Sequence, residues 1–362
     1  MLFKYALKAL TKYKLKTFLM FIASMVSIAS IFLITAVSGG IISMYSAMLK
    51  TGGDIIVTQK DISDTFFSDV NRTFATKVAQ VNGIKNVYAI IVGACPVNSI
   101  PICAVYGVGT NYYSHYKLTN GTYPNSKEVI IGSNIAKTLK NPTKILISGK
   151  EFKVSGVFES QIGFEQGGVV VPIDDGSLLF HKSASFLLVS LKQDMAFNTI
   201  KNNILDLNNS DIDVKTTQSF TENYNQFKII RTSSYAVSFM AFLLGLIGIS
   251  SMMSMIVNER KGEFGIMRAI GITQSRIILG LCIEVIILIT VSFIVAWLTS
   301  EMILFILENI QKFQGYISGK ISFEMLLGVF VSSILMGLLG AIFPAWMASK
   351  SDPAELIQKG AQ

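Results

Sequence analysis

Two cysteines in one segment have the spacing that most directly suggests chemistry in this sequence. Cys95 and Cys103 are separated by the seven residues Pro96–Ile102, and a hairpin would bring their thiols into range of a disulfide bond. A metal site would need imidazoles, but His115 and His181, the only two histidines, lie further along the chain. We predict a disulfide and no metal site, with two unpaired thiols as the open alternative.

Two glutamates lie in a run that is otherwise apolar. Glu284 stands near the beginning of this run and Glu301 near its end. Ionisable side chains inside a membrane-spanning segment are costly, so they usually have a partner or a function. We predict that Glu284 pairs with Arg276, or with another arginine of the preceding segment, rather than relaying protons. Cys282, in the same run, is predicted to be a core residue.

No constellation typical of an enzyme occurs in the sequence. The two histidines are not placed beside candidate catalytic partners, so we predict no catalytic residues. Gly149-Lys150 resembles the end of a phosphate-binding loop, but Glu151 stands where that loop needs a serine or threonine to hold Mg²⁺. We therefore predict that this chain is not an enzyme and binds no cofactor itself.

A charged, glycine-spaced segment, residues 258–271, stands between two apolar runs. Its pattern predicts a short amphipathic helix at about 100° per residue. The apolar and basic residues then fall on opposite sides, with Ile266, Met267 and Ile270 on one and Lys261 and Arg268 on the other. A helix of this kind on a membrane surface is a natural docking element for a soluble partner.

The composition indicates a membrane protein. The chain is 51% hydrophobic and 15% charged, and its mean hydropathy is +0.52. A helix needs ~20 apolar residues to cross a bilayer, and four stretches reach that length. They run from about Phe18 to Ile42, from Tyr235 to Val257, from Ile277 to Leu307 and from Met325 to Met347.

The basic residues predict the orientation. Five lysines precede the first apolar run: Lys4, Lys8, Lys12, Lys14 and Lys16. Because positive charge concentrates on the cytoplasmic side, we place the N-terminus, segment 258–276 and the C-terminus in the cytoplasm. The first run is too long for the hydrophobic part of a signal peptide, so we predict an uncleaved span. The net charge of +8 then reflects topology and does not indicate nucleic-acid binding.

Between the first two spans, β-branched runs punctuated by Gly, Pro and Asn predict strands, with helices among them. This mixture is typical of an α+β domain. Helices are also predicted to extend beyond the bilayer. Residues 219–257 contain no proline and are predicted to form one continuous helix, and the first span is predicted to continue to Lys50.

Three regions carry a resemblance to a known family. Segment 258–271 resembles the cytoplasmic loop of FtsX-like permeases of the type VII ABC transporters, which include MacB-like exporters and the LolC and LolE permeases. Segments 127–136, 144–157 and 169–172 resemble the MacB-like periplasmic core domain. Segment 341–356 is similar to the family's ending, including Pro344 and Pro353. Ten residues match the pattern of the loop: Glu259, Arg260, Glu263, Phe264, Gly265, Met267, Arg268, Ala269, Ile270 and Gly271.

The resemblance implies a fold class and an organisation. We expect an α-helical membrane protein with four transmembrane helices and a mixed α+β extracytoplasmic domain, the MacB-like periplasmic core, inserted between helices 1 and 2. The expected segments are 1–42 (N-terminal segment and first span), 43–228 (outer domain), 229–257 (second span with stalk), 258–276 (coupling helix), 277–307 (third span), 308–324 (outer loop), 325–347 (fourth span) and 348–362 (cytoplasmic tail).

The resemblance also implies a function. We expect the permease subunit of an ABC transporter in the cytoplasmic membrane, with a separate ATPase that binds ATP and Mg²⁺ and drives export or lipoprotein release. The alternatives are an FtsX-like regulator of an extracytoplasmic hydrolase and a permease of a metal-handling system. The expected partners are the ATPase, an identical or similar permease, a periplasmic adaptor or substrate protein, and membrane lipid. The implied ATPase-docking residues are Glu259, Arg260, Glu263, Phe264, Gly265, Met267, Arg268 and Gly271.

The predicted topology can be tested by labelling. In a variant without native cysteines, Asn120→Cys should react with a membrane-impermeant maleimide in intact spheroplasts, because it lies in the predicted outer domain. Thr273→Cys, in the predicted inner segment, should react only after lysis. Labelling of Asn120→Cys only after lysis would overturn the orientation.

Overall fold

The computed structural model describes residues 10–62, 64–160, 163–192, 196–207, 211–310 and 319–350. The chain divides into two compact units. The first comprises residues 1–37, 233–305 and 319–362, and the second comprises residues 38–232 and 306–318. Lys4 and Lys8, residues 311–318 of the predicted outer loop 308–324 and the ending around Pro353 lie outside the described residues.

The described helices are α1 (Lys14–Gly52), α2 (Arg72–Ala79), α3 (Ser133–Thr138), α4 (Gly163–Gln166), α5 (Ile173–Phe180), α6 (Phe197–Leu205), α7 (Thr217–Asn223), α8 (Asn225–Glu259), α9 (Lys261–Ala269), α10 (Gln274–Asn309) and α11 (Phe323–Lys350). Four of them, α1, α8, α10 and α11, are long and apolar enough to cross a membrane. Two short 3₁₀ helices cover Thr65–Phe67 and Thr110–His115.

The strands all belong to the second unit and form one sheet in the described part of the chain. They are β1 (Ile55–Gln59), β2 (Ile84–Val97), β3 (Ile100–Val108), β4 (Lys117–Gly121), β5 (Glu128–Gly132), β6 (Lys144–Ile147), β7 (Lys150–Glu159), β8 (Val169–Pro172), β9 (Phe186–Leu191) and β10 (Ile212–Thr216). Their order is β10-β1-β9-β2-β3-β8-β5-β7-β4, and β6 pairs with β2 and β7. Most pairs are antiparallel, but β3 with β8 and β5 with β7 are parallel.

The helical unit is held together by small residues at helix crossings. A side chain on Gly245 would place its Cβ 2.4 Å from Sδ of Met336 and 2.9 Å from Cβ of Ser27, so only glycine allows this approach. The hydroxyl of Ser24 in α1 donates a hydrogen bond of 2.8 Å to that of Ser292 in α10. Close approach of this kind is typical of helices in a membrane, where the hydrophobic effect does not drive helices together.

The sheet of the second unit is apolar on both faces. Residues alternate between the faces along each strand, as in β1, where Ile55 and Val57 pack on one face and Ile56 on the other. One face packs against helices of the domain. The opposite face carries an aromatic core that includes Tyr116 and Phe158, with ring centroids 5.0 Å apart. Burial on both faces explains the near-continuous apolar runs of the central strands.

The structure confirms the predicted fold class, with four apolar helices and a mixed α/β domain between the first and second of them. Sequence reasoning did not find strands β4 and β10. Both are edge strands of the sheet, and their sequences are largely polar because one side of each has no neighbouring strand. The first helix extends past the predicted Lys50 and ends at Gly52.

The prediction of one continuous helix over residues 219–257 is wrong. The helix breaks at Tyr224, whose φ of −64° and ψ of 124° are extended. The Tyr224 hydroxyl donates a hydrogen bond of 2.6 Å to the Asp64 carboxylate and accepts one of 3.0 Å from the Thr65 N–H. Its ring also stacks on Tyr45 at 5.9 Å. These contacts hold Tyr224 against the domain and end α7 before α8 begins.

The two cysteines are direct neighbours across the β2–β3 pair. Cys95 lies opposite Cys103 in the register, and no disulfide joins them in this structure. Opposite residues in an antiparallel pair have Cα atoms about 4.5–5.5 Å apart, which lies within the range of disulfides. Burial raises the pKa of the Cys95 thiol. A lower thiolate fraction slows oxidation, because the thiolate is the reacting form.

We predict that Cys95 and Cys103 form a disulfide in an oxidising environment, faster at higher pH because one of the two thiols must first ionise. Loop closure should stabilise the domain only modestly, by about 2 kcal/mol, because the loop is short. Mass spectrometry of non-reduced peptides, taken over time at pH 7 and pH 9, measures the bond. Recovery of both thiols fully alkylated at pH 9 would contradict the prediction, and Cys95→Ser should leave membrane insertion unchanged.

Candidate functional site

The candidate site is built around the short helix α9, which lies between the membrane-length helices α8 and α10. Its end is fixed by a glycine. Gly271 has φ +91°, a conformation that favours glycine. Its N–H donates to the Arg268 carbonyl and the Ile272 N–H to the Met267 carbonyl, both at 3.0 Å. This pair of bonds is a Schellman motif, and it explains why the matched pattern ends in glycine.

A buried ion pair connects the start of α9 to α10. Arg260, which is 1% exposed, donates from Nη1 to both carboxylate oxygens of Glu284, at 3.0 and 2.8 Å. Glu284 is 4% exposed. The guanidinium also lies 5.1 Å from the centre of the Phe264 ring. Removing one partner of such a buried pair is strongly destabilising, because the other charge is left uncompensated.

The sequence predicted that Glu284 has an arginine partner in the preceding segment, and the structure identifies it as Arg260. Arg276, the other partner considered, is exposed. Glu301, further along α10, is also exposed. Of these two glutamates, only Glu284 is buried, and it is the one paired with an arginine.

The ion pair extends into a chain of charges that reaches the residues before α1. Glu263 accepts from Nε of Arg260 at 3.4 Å and from the Lys12 ammonium at 2.5 Å. Lys16 forms an ion pair with Glu259. Partial burial alone would raise the pKa of Glu263, but the hydrogen bond and charge of Lys12 and the charge of Arg260 outweigh it and hold the pKa below its usual value. Glu263 therefore stays ionised at neutral pH.

The outer surface of α9 is apolar. Ile266 and Ile270 are 58% and 72% exposed, and their i,i+4 spacing places them side by side. Met267 instead packs against the core of the helical unit, together with Ile272. The predicted apolar side of the helix is therefore divided. One part anchors α9 and the other forms an exposed pair, here called the isoleucine pair (Ile266 and Ile270).

The structure gives the predicted docking residues different surroundings. Arg260, Phe264 and Gly265 are buried, and Glu259 and Glu263 are in ion pairs. Met267 is partly buried, and Arg268 and Gly271 lie in the last turn of α9 and its cap. Their docking role stays a prediction, and a direct contact is expected to come from the isoleucine pair. Lys12, which precedes α1, and Lys16, in its first turn, were not predicted as partners of this segment.

The remaining candidate motifs lie in ordinary structural settings. Gly149 sits in the two-residue turn between β6 and β7, where Ser148 also has a positive φ. A phosphate-binding loop instead leads from a strand into a helix. His115 stacks on Tyr112 at 4.1 Å, and His181 ends α5 in a left-handed conformation. Within the described ranges, no group of three or more His, Cys, Asp or Glu residues could hold a metal ion.

We predict that Arg260 and Glu284 stabilise the helical unit only when both are present. Glu284→Gln and Arg260→Gln should each lose about 3–5 kcal/mol, because each leaves one buried charge unpaired. The double change Arg260→Met with Glu284→Leu should recover most of this loss. Thermal unfolding of the full chain in detergent measures the effect as a shift of several degrees in Tm. Glu301→Gln, an exposed position in the same helix, is the control and should not change Tm. A double variant no more stable than the single ones would contradict the prediction.

Two family models match the chain. The model of the MacB-like periplasmic core domain matches residues 17–207, which is more than half of the chain. The model of the FtsX-like permease C-terminal region matches residues 235–353. The second match contains α9 with the isoleucine pair and the ion pair of Arg260 and Glu284.

Individual relatives agree with the family models. An ABC transporter permease of Methanocaldococcus jannaschii is 26% identical over 59% of this chain and 56% of its own length. A macrolide export ATP-binding/permease protein MacB of Campylobacter jejuni is 23% identical over 99% of this chain and 61% of its own length. The chain thus spans only about 60% of the length of these relatives.

Two solved structures are similar to part of the chain. The periplasmic region of MacB from Actinobacillus actinomycetemcomitans matches 47% of this chain and 92% of its own length, with 12% identity and a TM-score of 0.38. The extracellular domain of the transporter YknZ from Gram-positive bacteria matches 45% and 98%, with 13% identity and a TM-score of 0.37. On the strength of the two family models, the chain belongs to the ABC transporter permeases of the MacB/FtsX type, which combine a MacB-like periplasmic core domain with an FtsX-like permease C-terminal region.

Proposed function

We propose that this permease couples ATP hydrolysis by a separate ATPase subunit to mechanical motion of its extracytoplasmic domain, for export or lipoprotein release. The observation that carries the proposal is the attachment of α9. Arg260 ties the start of α9 to Glu284 of α10, and Met267 packs its other end against the core. A force applied to α9 would therefore move α8 and α10 instead of bending a loose loop.

The surface of α9 supports a protein contact. Ile266 and Ile270 are large apolar side chains exposed at an end of the helical unit that carries Lys12, Lys16, Glu259 and Glu263 in ion pairs. An apolar centre surrounded by charged residues is the usual composition of a protein–protein interface. The carboxylates of Glu259 and Glu263 are already paired with Lys16 and Lys12, so we expect apolar contact to supply a large part of the binding free energy.

The long helices provide a route for the motion. Helix α8 has 35 residues and rises about 50 Å at 1.5 Å per residue, more than the ~30 Å of a hydrocarbon core. In the second unit, the end of α1 and the start of α8 meet in an aromatic cluster. Tyr45 lies 5.2 Å from Phe227 and 5.9 Å from Tyr224 between ring centroids. Tyr45 also shares a hydrogen bond of 2.8 Å with the Thr65 hydroxyl.

The proposed mechanism assigns ATP and Mg²⁺ to the partner ATPase, because these 362 residues contain no Walker A sequence. The chain would work in the cytoplasmic membrane as a dimer with an identical or similar permease, with both termini in the cytoplasm and the large domain outside. An adaptor or substrate protein would contact the outer domain. An FtsX-like regulator of a hydrolase would use the same coupling, and none of the described residues favours a metal-handling role.

We predict that the isoleucine pair is the centre of the ATPase contact. Ile266→Glu should lower co-purification of the cognate ABC ATPase at least tenfold, because a buried apolar contact would be replaced by a charge without a partner. The permease is co-expressed with candidate ABC ATPases of the same genome. Retained ATPase is then quantified after affinity purification, together with ATP hydrolysis by the complex.

The matched control is Leu178→Glu, which changes a 64% exposed leucine of the outer domain and should leave the ATPase bound. Membrane insertion and Tm are compared for both variants, because Ile266 is exposed and its substitution should not disturb packing. Wild-type yields of ATPase with both Ile266→Glu and Ile270→Glu would refute the docking assignment.

A further inference from the structure

A groove of about 360 Å³ opens on the helical unit between the start of α1 and the first half of α10. Its walls are apolar and include Phe18 and Phe21 of α1 and Ile287 and Val291 of α10. Lys14 and Thr17 are among its polar lining residues. Phe18 is 56% exposed and Val291 48% exposed, so the groove faces the surroundings of the spanning helices.

The lysines around the groove differ in their partners. Lys12 forms an ion pair with Glu263 and Lys16 forms one with Glu259. Lys14 lies between them in the sequence but lines the groove, and it has no carboxylate partner among the residues that the structure describes. Lys14 therefore brings to this surface a positive charge that the coupling segment does not neutralise.

We propose that this groove binds one anionic phospholipid. The phosphate would lie beside the Lys14 ammonium, and an acyl chain would follow the wall of Phe18, Phe21 and Ile287. Basic pockets between membrane helices bind anionic lipid headgroups in this way. A free phosphate would satisfy the charge of Lys14 but would leave the apolar walls uncovered, whereas a phospholipid satisfies both the charge and the walls.

The test uses the purified full chain with equimolar phosphatidylglycerol and phosphatidylcholine of the same acyl chains. Native mass spectrometry counts each lipid retained on the protein. The wild type should keep one phosphatidylglycerol in preference to phosphatidylcholine. Lys14→Gln should lower this preference about fivefold, the factor that corresponds to ~1 kcal/mol for one basic residue at a membrane surface.

Two pairs of variants separate the site from general effects. Lys50→Gln removes another exposed lysine from α1, one without an ion pair to any residue that the structure describes, and should leave the preference unchanged. Val291→Trp fills the groove and should reduce retention of the lipid, whereas Val331→Trp, at an equally exposed position of α11, should not. Glycerol phosphate at millimolar concentration should fail to displace the lipid, because it cannot cover the apolar wall.

Several results would overturn the proposal. They are an equal loss of preference in Lys14→Gln and Lys50→Gln, displacement of the lipid by glycerol phosphate, and retention of no lipid by the wild type. The last result would indicate that a second copy of the chain covers the groove. Comparing Tm among the variants verifies that each one is folded, and Lys14→Gln changes an exposed residue whose loss leaves the packing intact.

Discussion

The arrangement of the helical unit at its charged end depends on one buried arginine. A guanidinium with 1% exposure cannot remain there without an anionic partner, and Glu284 supplies both of its carboxylate oxygens. Arg260 lies at the junction where α8 ends and α9 begins, so the pair fixes the direction of the chain at that point. Because Phe264 and Met267 pack inward from the same helix, Ile266 and Ile270 must face outward.

The same constraint organises the residues before α1. Glu263 contacts Arg260 on one side and Lys12 on the other, so the residues before the first span are joined to α9 through shared charges. In the second unit, hydrogen bonds of Tyr224 and Tyr45 to Asp64 and Thr65, at the start of a 3₁₀ helix, likewise fix the start of α8 and the end of α1. Polar contacts thus hold the junction of α8 and α9 to α10 and to Lys12, and other polar contacts hold the end of α1 and the start of α8. Between these points, small residues such as Gly245 and Ser24 allow the helices to pack closely.

Much of this fold could be predicted from the sequence, because it follows from local patterns. Apolar runs of sufficient length identify the spans, and β-branched runs identify the central strands, which are buried on both faces. The existence of an arginine partner for Glu284 also followed from the cost of an isolated charge in a membrane. Its identity did not, because the turn of the chain at Arg260 directs that side chain inward and leaves Arg276 exposed.

Other features depend on contacts between distant residues. The break at Tyr224 is set by Asp64, 160 residues earlier, and no local signal such as proline marks it. Edge strands β4 and β10 have polar sequences that resemble loops. The exposure of Ile266 could not be separated from the burial of Met267 by helical periodicity alone, since both fall on the side that the pattern marks as apolar.

The central claim is that the nucleotide state of a partner ATPase changes the geometry of the helices that carry the outer domain. It is tested most directly by measuring the distance between spin labels at Lys50 and Arg231, exposed positions at the end of α1 and near the start of α8. The labels are placed in a cysteine-free permease, and pulsed electron paramagnetic resonance is recorded on its complex with the ATPase. The account predicts that the distance distribution shifts between the nucleotide-free and the ATP-bound complex, and that the shift disappears in Ile266→Glu. Identical distributions in both nucleotide states of the wild-type complex would contradict it.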